Sequence, residues 1–290
     1  MEIIKFYLPS IKPFAIAPLG DIQWNGDPHE IDCGGLERHI ARCLEENAYF
    51  LGMGDYIDFA SPSSRQRLLS SGAYDGPMKK LDDVADHLVR EVYTRFLKPT
   101  TGRWIGMLEG HHFWGYRSGE TSDMKLCRLL KTVHLGTEAG IEVCHAKEGS
   151  LKLWAHHGFG AGSEGALLNK LKLQAADWEG VRVFLMGHMT KLASTVIPKL
   201  TFVNAPSGPV LTEVRVILAG TGGWSKGKIL ARRDGVVPRG NYVEQAGMRP
   251  VSLGAPIIRC TGWRAHGGPP MSHDTHRTRV LNPQLEILNQ

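Results

Sequence analysis

Five short segments of the chain carry side chains suited to metal chemistry, each beside a glycine. They are Gly20-Asp21-Ile22-Gln23, Gly54-Asp55-Tyr56-Ile57-Asp58, Gly110-His111-His112, His156-His157-Gly158 and Gly187-His188-Met189-Thr190. Each follows an apolar run that reads as a strand. Glycine lets the backbone turn sharply there and approach an ion closely, and carboxylate oxygens and neutral imidazole nitrogens are the usual ligands of zinc, manganese and iron. A single Gly-Asp is a common turn, whereas five such segments in the same strand-end position describe a shared divalent-metal site. Spacing leaves open whether His156 or His157 is the ligand, because adjacent residues at a strand end point to opposite faces; the glycine that follows favours His157. Asp58 reads either as an acceptor that orients an imidazole or as a turn cap.

The elements that must position these residues follow from period and punctuation. Short apolar runs alternate with stretches of helical spacing, the pattern of a layered α/β fold. Strands are expected at 14–19, 48–53, 103–108, 141–146, 150–155, 182–186, 193–197, 200–204 and 213–219. Leu36, Ile40, Cys43 and Leu44 share one helical face, as do Leu81, Val84, Leu88, Val92 and Phe96. Thr121 or Ser122 is a fitting N-cap for a helix over 123–131, and Ser163 for one over 164–178. Residues 59–77 read as a surface excursion. The segment 220–290 is rich in Gly, Pro and Arg and reads as a loop-rich wrap over a catalytic domain formed by residues 1–219. In open α/β sheets the loops at the carboxyl ends of strands converge on one crevice, which is where the five segments would meet.

Composition sets the outer bounds. The 290 residues are 42% hydrophobic and 22% charged, ordinary values that exclude disorder, collagen and coiled coil. The run Phe14–Leu19 is far shorter than the roughly 20 residues of a bilayer span, so neither a signal peptide nor a membrane partner is expected. Five scattered cysteines without a C-x-x-C pair argue against a disulfide framework or a zinc ribbon and for a reduced, cytoplasmic protein. The net charge of +5 is a mild pointer to a polyanionic partner such as nucleic acid.

The order Asp21, Gly54-Asp55, Gly110-x-His112, His157-Gly158, Gly187-His188 resembles the motif series D-x-H, G-D, G-N-H, H, G-H-x-H of the calcineurin-like metallophosphoesterases, over about residues 14–195. The stretch from Gly222-Gly223-Trp224 to Tyr242-Val243-Glu244 also looks like the C-terminal region of phage-type members, which would place a phage-encoded chain in the host cytoplasm. The resemblance implies a four-layered α/β/β/α sandwich with a two-metal site, Asp55 bridging the ions and Asp21 a ligand of the first. Two positions depart from it. Gln23 and Thr190 stand where the family has histidines of one ion, leaving that site with Asp21, Asp55 and at most two weak neutral oxygens. Such ligation suits magnesium or manganese. The other ion keeps Asp55, His157 and His188 and gains His111 in place of an asparagine. The expectation is a lopsided pair, one ion held tightly (zinc, manganese or iron) and one weak or absent (manganese or magnesium).

The activity so implied is metal-dependent hydrolysis of a phosphoester, a phosphodiester of nucleic acid or a nucleotide favoured over a monoester. Metal ions neutralise phosphoryl charge and make hydroxide available as nucleophile at neutral pH, and His112, which matches the family's catalytic histidine, is the general acid. Lys191, Trp224, Lys226 and Arg232, with Lys228 and Arg233 nearby, read as a basic and aromatic surface for a phosphodiester backbone. Two other readings stand beside this one: a non-catalytic nucleic-acid-binding protein with a degenerate site, and a metallo-esterase with an altered single-metal centre.

Overall fold

A computed structural model describes residues 1–9, 13–70, 75–145, 149–205, 208–225, 251–265 and 281–288. The protein is mixed α/β with two mixed sheets. The first has six strands in the order β1 (Glu2–Tyr7), β5 (Glu138–His145), β6 (Gly149–His156), β7 (Val183–Met186), β9 (Gly208–Gly220), β8 (Ser194–Ala205). The second has five, in the order β11 (Leu281–Leu288), β10 (Ile257–Ala265), β2 (Phe14–Leu19), β3 (Ala48–Gly52), β4 (Trp104–Met107). β2, β3 and β4 are parallel to one another, as are β6, β7 and β9.

Alternation along the strands divides the core. In β2, Phe14 and Ile16 join Leu51, Ile105 and Ile258 of their own sheet and Ile141, Leu153, Leu185 and Ile217 of the other in one buried cluster between the sheets. Ala15, Ala17 and Leu19 face the other way, against helices α1 (Cys33–Glu45), α3 (Asp75–Val92) and α4 (Ser122–Leu130). On the far side of the six-stranded sheet, Phe184, Val216 and Leu218 pack on Leu167 and Leu171 of α5 (Glu164–Asp177). All six residues of β2 are buried. That double burial is why its sequence is a continuous apolar run rather than an alternating one.

The expected strands at 14–19 and 48–53 and those on either side of the 156–157 and 188 segments are present within a few residues. The stretches 193–197 and 200–204 form the single strand β8. Thr121 caps α4 by accepting the amide of Met124, and Ser163 caps α5 by accepting that of Ala166. Two stretches carry more regular structure than the sequence pattern suggests. Within 59–77, helix α2 spans Pro62–Ser70 and α3 begins at Asp75. In the C-terminal segment, β10 pairs antiparallel with β2 and β11 with β10. β1, parallel to β5, has no counterpart in the sequence reading. Among the described residues no helix is long and apolar enough to cross a membrane.

Candidate metal centre

The five glycine-flanked segments meet at one rim, and they arrive from both sheets. Asp21, Asp55 and His111 follow β2, β3 and β4 of the five-stranded sheet, while His157 and His188 follow β6 and β7 of the six-stranded one. Five non-glycine residues of these segments, Asp21, Gln23, Asp55, His188 and Thr190, have φ between 47° and 61°. Left-handed backbone at non-glycine residues is uncommon and clusters at functional sites. The glycines make this crowding possible. A Cβ on Gly110 would lie 2.1 Å from the amide nitrogen of Asp55, and one on Gly54 would lie 2.4 Å from His157 Nδ1.

His111, His157 and His188 place one ring nitrogen each within 4.8 Å of one another, a cluster that could hold a metal ion. The rings meet edge to face, with centroids 4.6 Å apart for His111 and His157, 4.5 Å for His111 and His188, and 5.3 Å for His157 and His188. His157 is fully buried. Its Nδ1 lies 2.6 Å from the carbonyl of Met53, which can only accept, so Nδ1 carries the proton and Nε2 is left 3.4 Å from Asp55 Oδ2. Asp55 Oδ1 accepts the amides of His111 at 2.5 Å and His112 at 3.0 Å. Asp21 Oδ2 accepts the amide of His188 at 3.0 Å. The remaining atoms, Asp21 Oδ1, Asp55 Oδ2 and His157 Nε2, are buried without a hydrogen-bond partner. Buried polar groups are nearly always paired, so three orphaned ligand-type atoms at one rim fit a divalent cation.

Electrostatics agree with that use for His111 and His188, whereas at His157 the Asp55 carboxylate outweighs burial and raises the pKa to about 9. Burial, with His157 and His188 alongside, lowers the His111 pKa to about 4, and burial and His157 lower that of His188. The His111 and His188 imidazoles are therefore neutral and able to donate a lone pair near pH 7. Burial raises the Asp21 carboxyl to about 7. Burial opposes ionisation of Asp55 too, but the hydrogen bond and charge of His157, with the charge and amide of His112, hold its pKa below the usual carboxylate range.

Of the two adjacent histidines, His157 is in the cluster. His156 points elsewhere: its Nδ1 accepts the amide of Gly158 at 2.7 Å and its ring stacks on Trp154. His112 stands beside the cluster, with Nδ1 2.7 Å from Asp58 Oδ1, so Asp58 orients an imidazole. That carboxylate raises the His112 pKa. The backbone N–H of Gln23 donates to the carbonyl of Asp55. A Cβ on Gly223 would meet Asp21 Cβ at 3.1 Å and Thr190 Cγ2 at 3.3 Å, which puts Thr190 next to Asp21.

The expected substrate surface is only partly described. Lys191 is half-buried, and its carbonyl accepts the amide of Gly222. Trp224 is not available to stack on a base, because it is 2% exposed and packs in the helix-side core against His39. Lys226, Lys228, Arg232 and Arg233 lie outside the described residues.

Two supporting residues have no sequence signature. Asp123, fully buried in the first turn of α4, accepts the Gly110 amide at 3.0 Å and so fixes the segment that presents His111. Burial raises its pKa to about 7. Arg65 of α2 donates to the carbonyls of Ala60, His111 and Phe113 and lies over the Phe113 ring. It clamps the same segment from outside. Phe159, directly after Gly158, is 47% exposed with the Lys170 ammonium over its ring. No protein-family model matches the chain, and a comparison with curated proteins finds no match.

Proposed function

We propose that the protein is a divalent-metal-dependent phosphoesterase, with a phosphodiester of nucleic acid or a nucleotide as its favoured substrate, built on a four-layered α/β/β/α sandwich. The observation that carries the reading is the convergence of three imidazoles with the orphaned atoms of Asp21, Asp55 and His157 where two sheets meet. The motif order supports it, and so does the layering of helices outside both sheets.

His111, His157, His188 and Asp55 would hold the tighter ion, and Asp21, with Thr190 and Gln23 nearby, the weaker. A divalent ion bound there supplies positive charge against the phosphoryl oxygens and acidifies water toward neutrality. Asp55 is kept ionised and aimed by the amides of His111 and His112. His112 is committed through Nδ1 to Asp58, which leaves Nε2 to hand a proton to the departing oxygen. Asp58 keeps that proton in place to higher pH.

The test is hydrolysis of bis(p-nitrophenyl) phosphate with manganese, zinc or magnesium added in turn. Manganese-stimulated turnover that Asp55→Ala abolishes is the expected result. Wild-type turnover no greater than that of Asp55→Ala with every metal would reject catalysis. The non-catalytic nucleic-acid-binding reading, motivated by Gln23 and Thr190, would then stand if the chain retained DNA on a gel in a salt-sensitive, chelator-insensitive way.

A further inference from the structure

The β8–β9 hairpin is longer than the sheet that carries it. β9 pairs with β7 only over Ile217–Gly220, whereas its ladder with β8 continues from Ser194 and Ala219 to Ala205 and Gly208. The part beyond β7 reaches roughly 30 Å at strand rise. β9 runs parallel to β7 and, like it, ends at the metal-site rim, so the hairpin tip points away from the site.

The two faces of this projection differ. Ile197, Val216 and Leu218 turn toward α5, and Lys199 Nζ bonds the carbonyl of Ala175 on that side. Val196, Ile217 and Ala219 turn into the core between the sheets. Continued two residues at a time, this second face carries Pro198, Leu200 and Phe202 on β8 opposite Arg215, Glu213 and Leu211 on β9. Beyond the sandwich no described residue covers it: Leu200 is 70% exposed, Phe202 78% and Leu211 53%. Single exposed apolar residues need no explanation, but a contiguous strip that prolongs a core face marks an interaction surface.

We propose that this strip is the contact between two copies of the chain. Its charges are self-complementary. Glu213 and Arg215 lie two residues apart on one strand, so a twofold axis lying in the plane of the contact and crossing the strands between them sets each Glu213 against the Arg215 of the other copy. The same axis carries Phe202 and Leu211 to the margin of the other copy's inter-sheet core, where Val196 is half-buried. A lipid surface or a purely apolar peptide would leave the charge pair without a purpose. β8 is the last strand of its sheet, but Pro198 lacks an amide donor, which disfavours addition of a strand along that edge. The contact is therefore through the face.

Sedimentation velocity of the full chain between about 1 and 100 μM tests this. The wild type is expected to dimerise, and Phe202→Glu to be monomeric with unchanged far-UV circular dichroism. Glu213→Arg or Arg215→Glu alone should weaken the dimer at least about tenfold, and the Glu213→Arg/Arg215→Glu double variant should recover it. A monomeric wild type, whether or not it binds phospholipid vesicles, overturns the proposal. So does a dimer that persists in Phe202→Glu, or a double variant no stronger than the singles.

Discussion

Asp58 Oδ1 lies 2.7 Å from His112 Nδ1, and the amide of Asp58 is itself held by the carbonyl of Trp24, three residues past Asp21. The imidazole is thus oriented by a residue tied to another of the site's loops. His112→Ala is expected to lower turnover of an aryl phosphodiester by roughly 10²–10⁴, the usual contribution of a positioned general acid, while leaving metal content unchanged. Asp58→Asn removes the charge that raises the His112 pKa. A general acid must be protonated, so the alkaline limb of the pH–rate profile should move to lower pH in that variant. An unmoved limb would mean that His112 is not the titrating acid.

The three-imidazole cluster and the isolated Asp21 predict unequal metal binding. After exhaustive dialysis, elemental analysis should find about one equivalent of transition metal per chain, because four N and O donors can close one coordination shell. His188→Ala should lose that equivalent, and Asp21→Asn should keep it. Two equivalents retained with equal affinity would contradict the lopsided site.

Gln23 and Thr190 are expected to be the cause of the imbalance. Both already have the left-handed backbone of the other rim residues, a conformation in which histidine is enriched among non-glycine residues. The Gln23→His/Thr190→His double variant should therefore retain a second equivalent of zinc or manganese and show a steeper metal dependence of turnover. Unchanged stoichiometry would place the weakness elsewhere.

Asp123 gives a prediction in stability. Its pKa of about 7 in the fold exceeds the ordinary carboxylate value because of burial, so the folded state holds a proton that the unfolded chain releases. Stability must then fall as pH rises from about 4 to 7. The ceiling is about 4 kcal/mol, from the pKa difference. Asp123→Asn removes this titration and retains an acceptor for the Gly110 amide. Thermal unfolding of that variant should depend less on pH between 5 and 7, with a midpoint at pH 8 no lower than the wild type. Asp123→Ala should instead lose roughly 1–3 kcal/mol by stranding the amide and weaken metal retention through His111.

What was legible in the chain was what local pattern encodes. β2 and β3 are short apolar runs closed by glycine, and that punctuation also exposed Asp21, Asp55, His111, His157 and His188. β1 has no clear apolar pattern because its burial is only partial along an edge, and β10 has none because it lies in a stretch dominated by glycine, proline and arginine. Asp123 looked like an ordinary acid in the first turn of a helix, a common position for electrostatic reasons. Only the tertiary fold, which brings Gly110 to it, gives it a role. Trp224 is the converse case: a tryptophan in a Gly-rich basic stretch has the composition of a stacking platform, while its burial against His39 depends on residues far away in sequence.

The rim draws its donors from both sheets, and this has a mechanical consequence. An ion shared by Asp55 and His111 on one side and His157 and His188 on the other would act as a rivet across the inter-sheet core, resisting the separation of two layers otherwise joined mainly by apolar contact. Chelation should therefore lower the unfolding temperature and speed amide exchange at the carboxyl ends of β3 and β7 together.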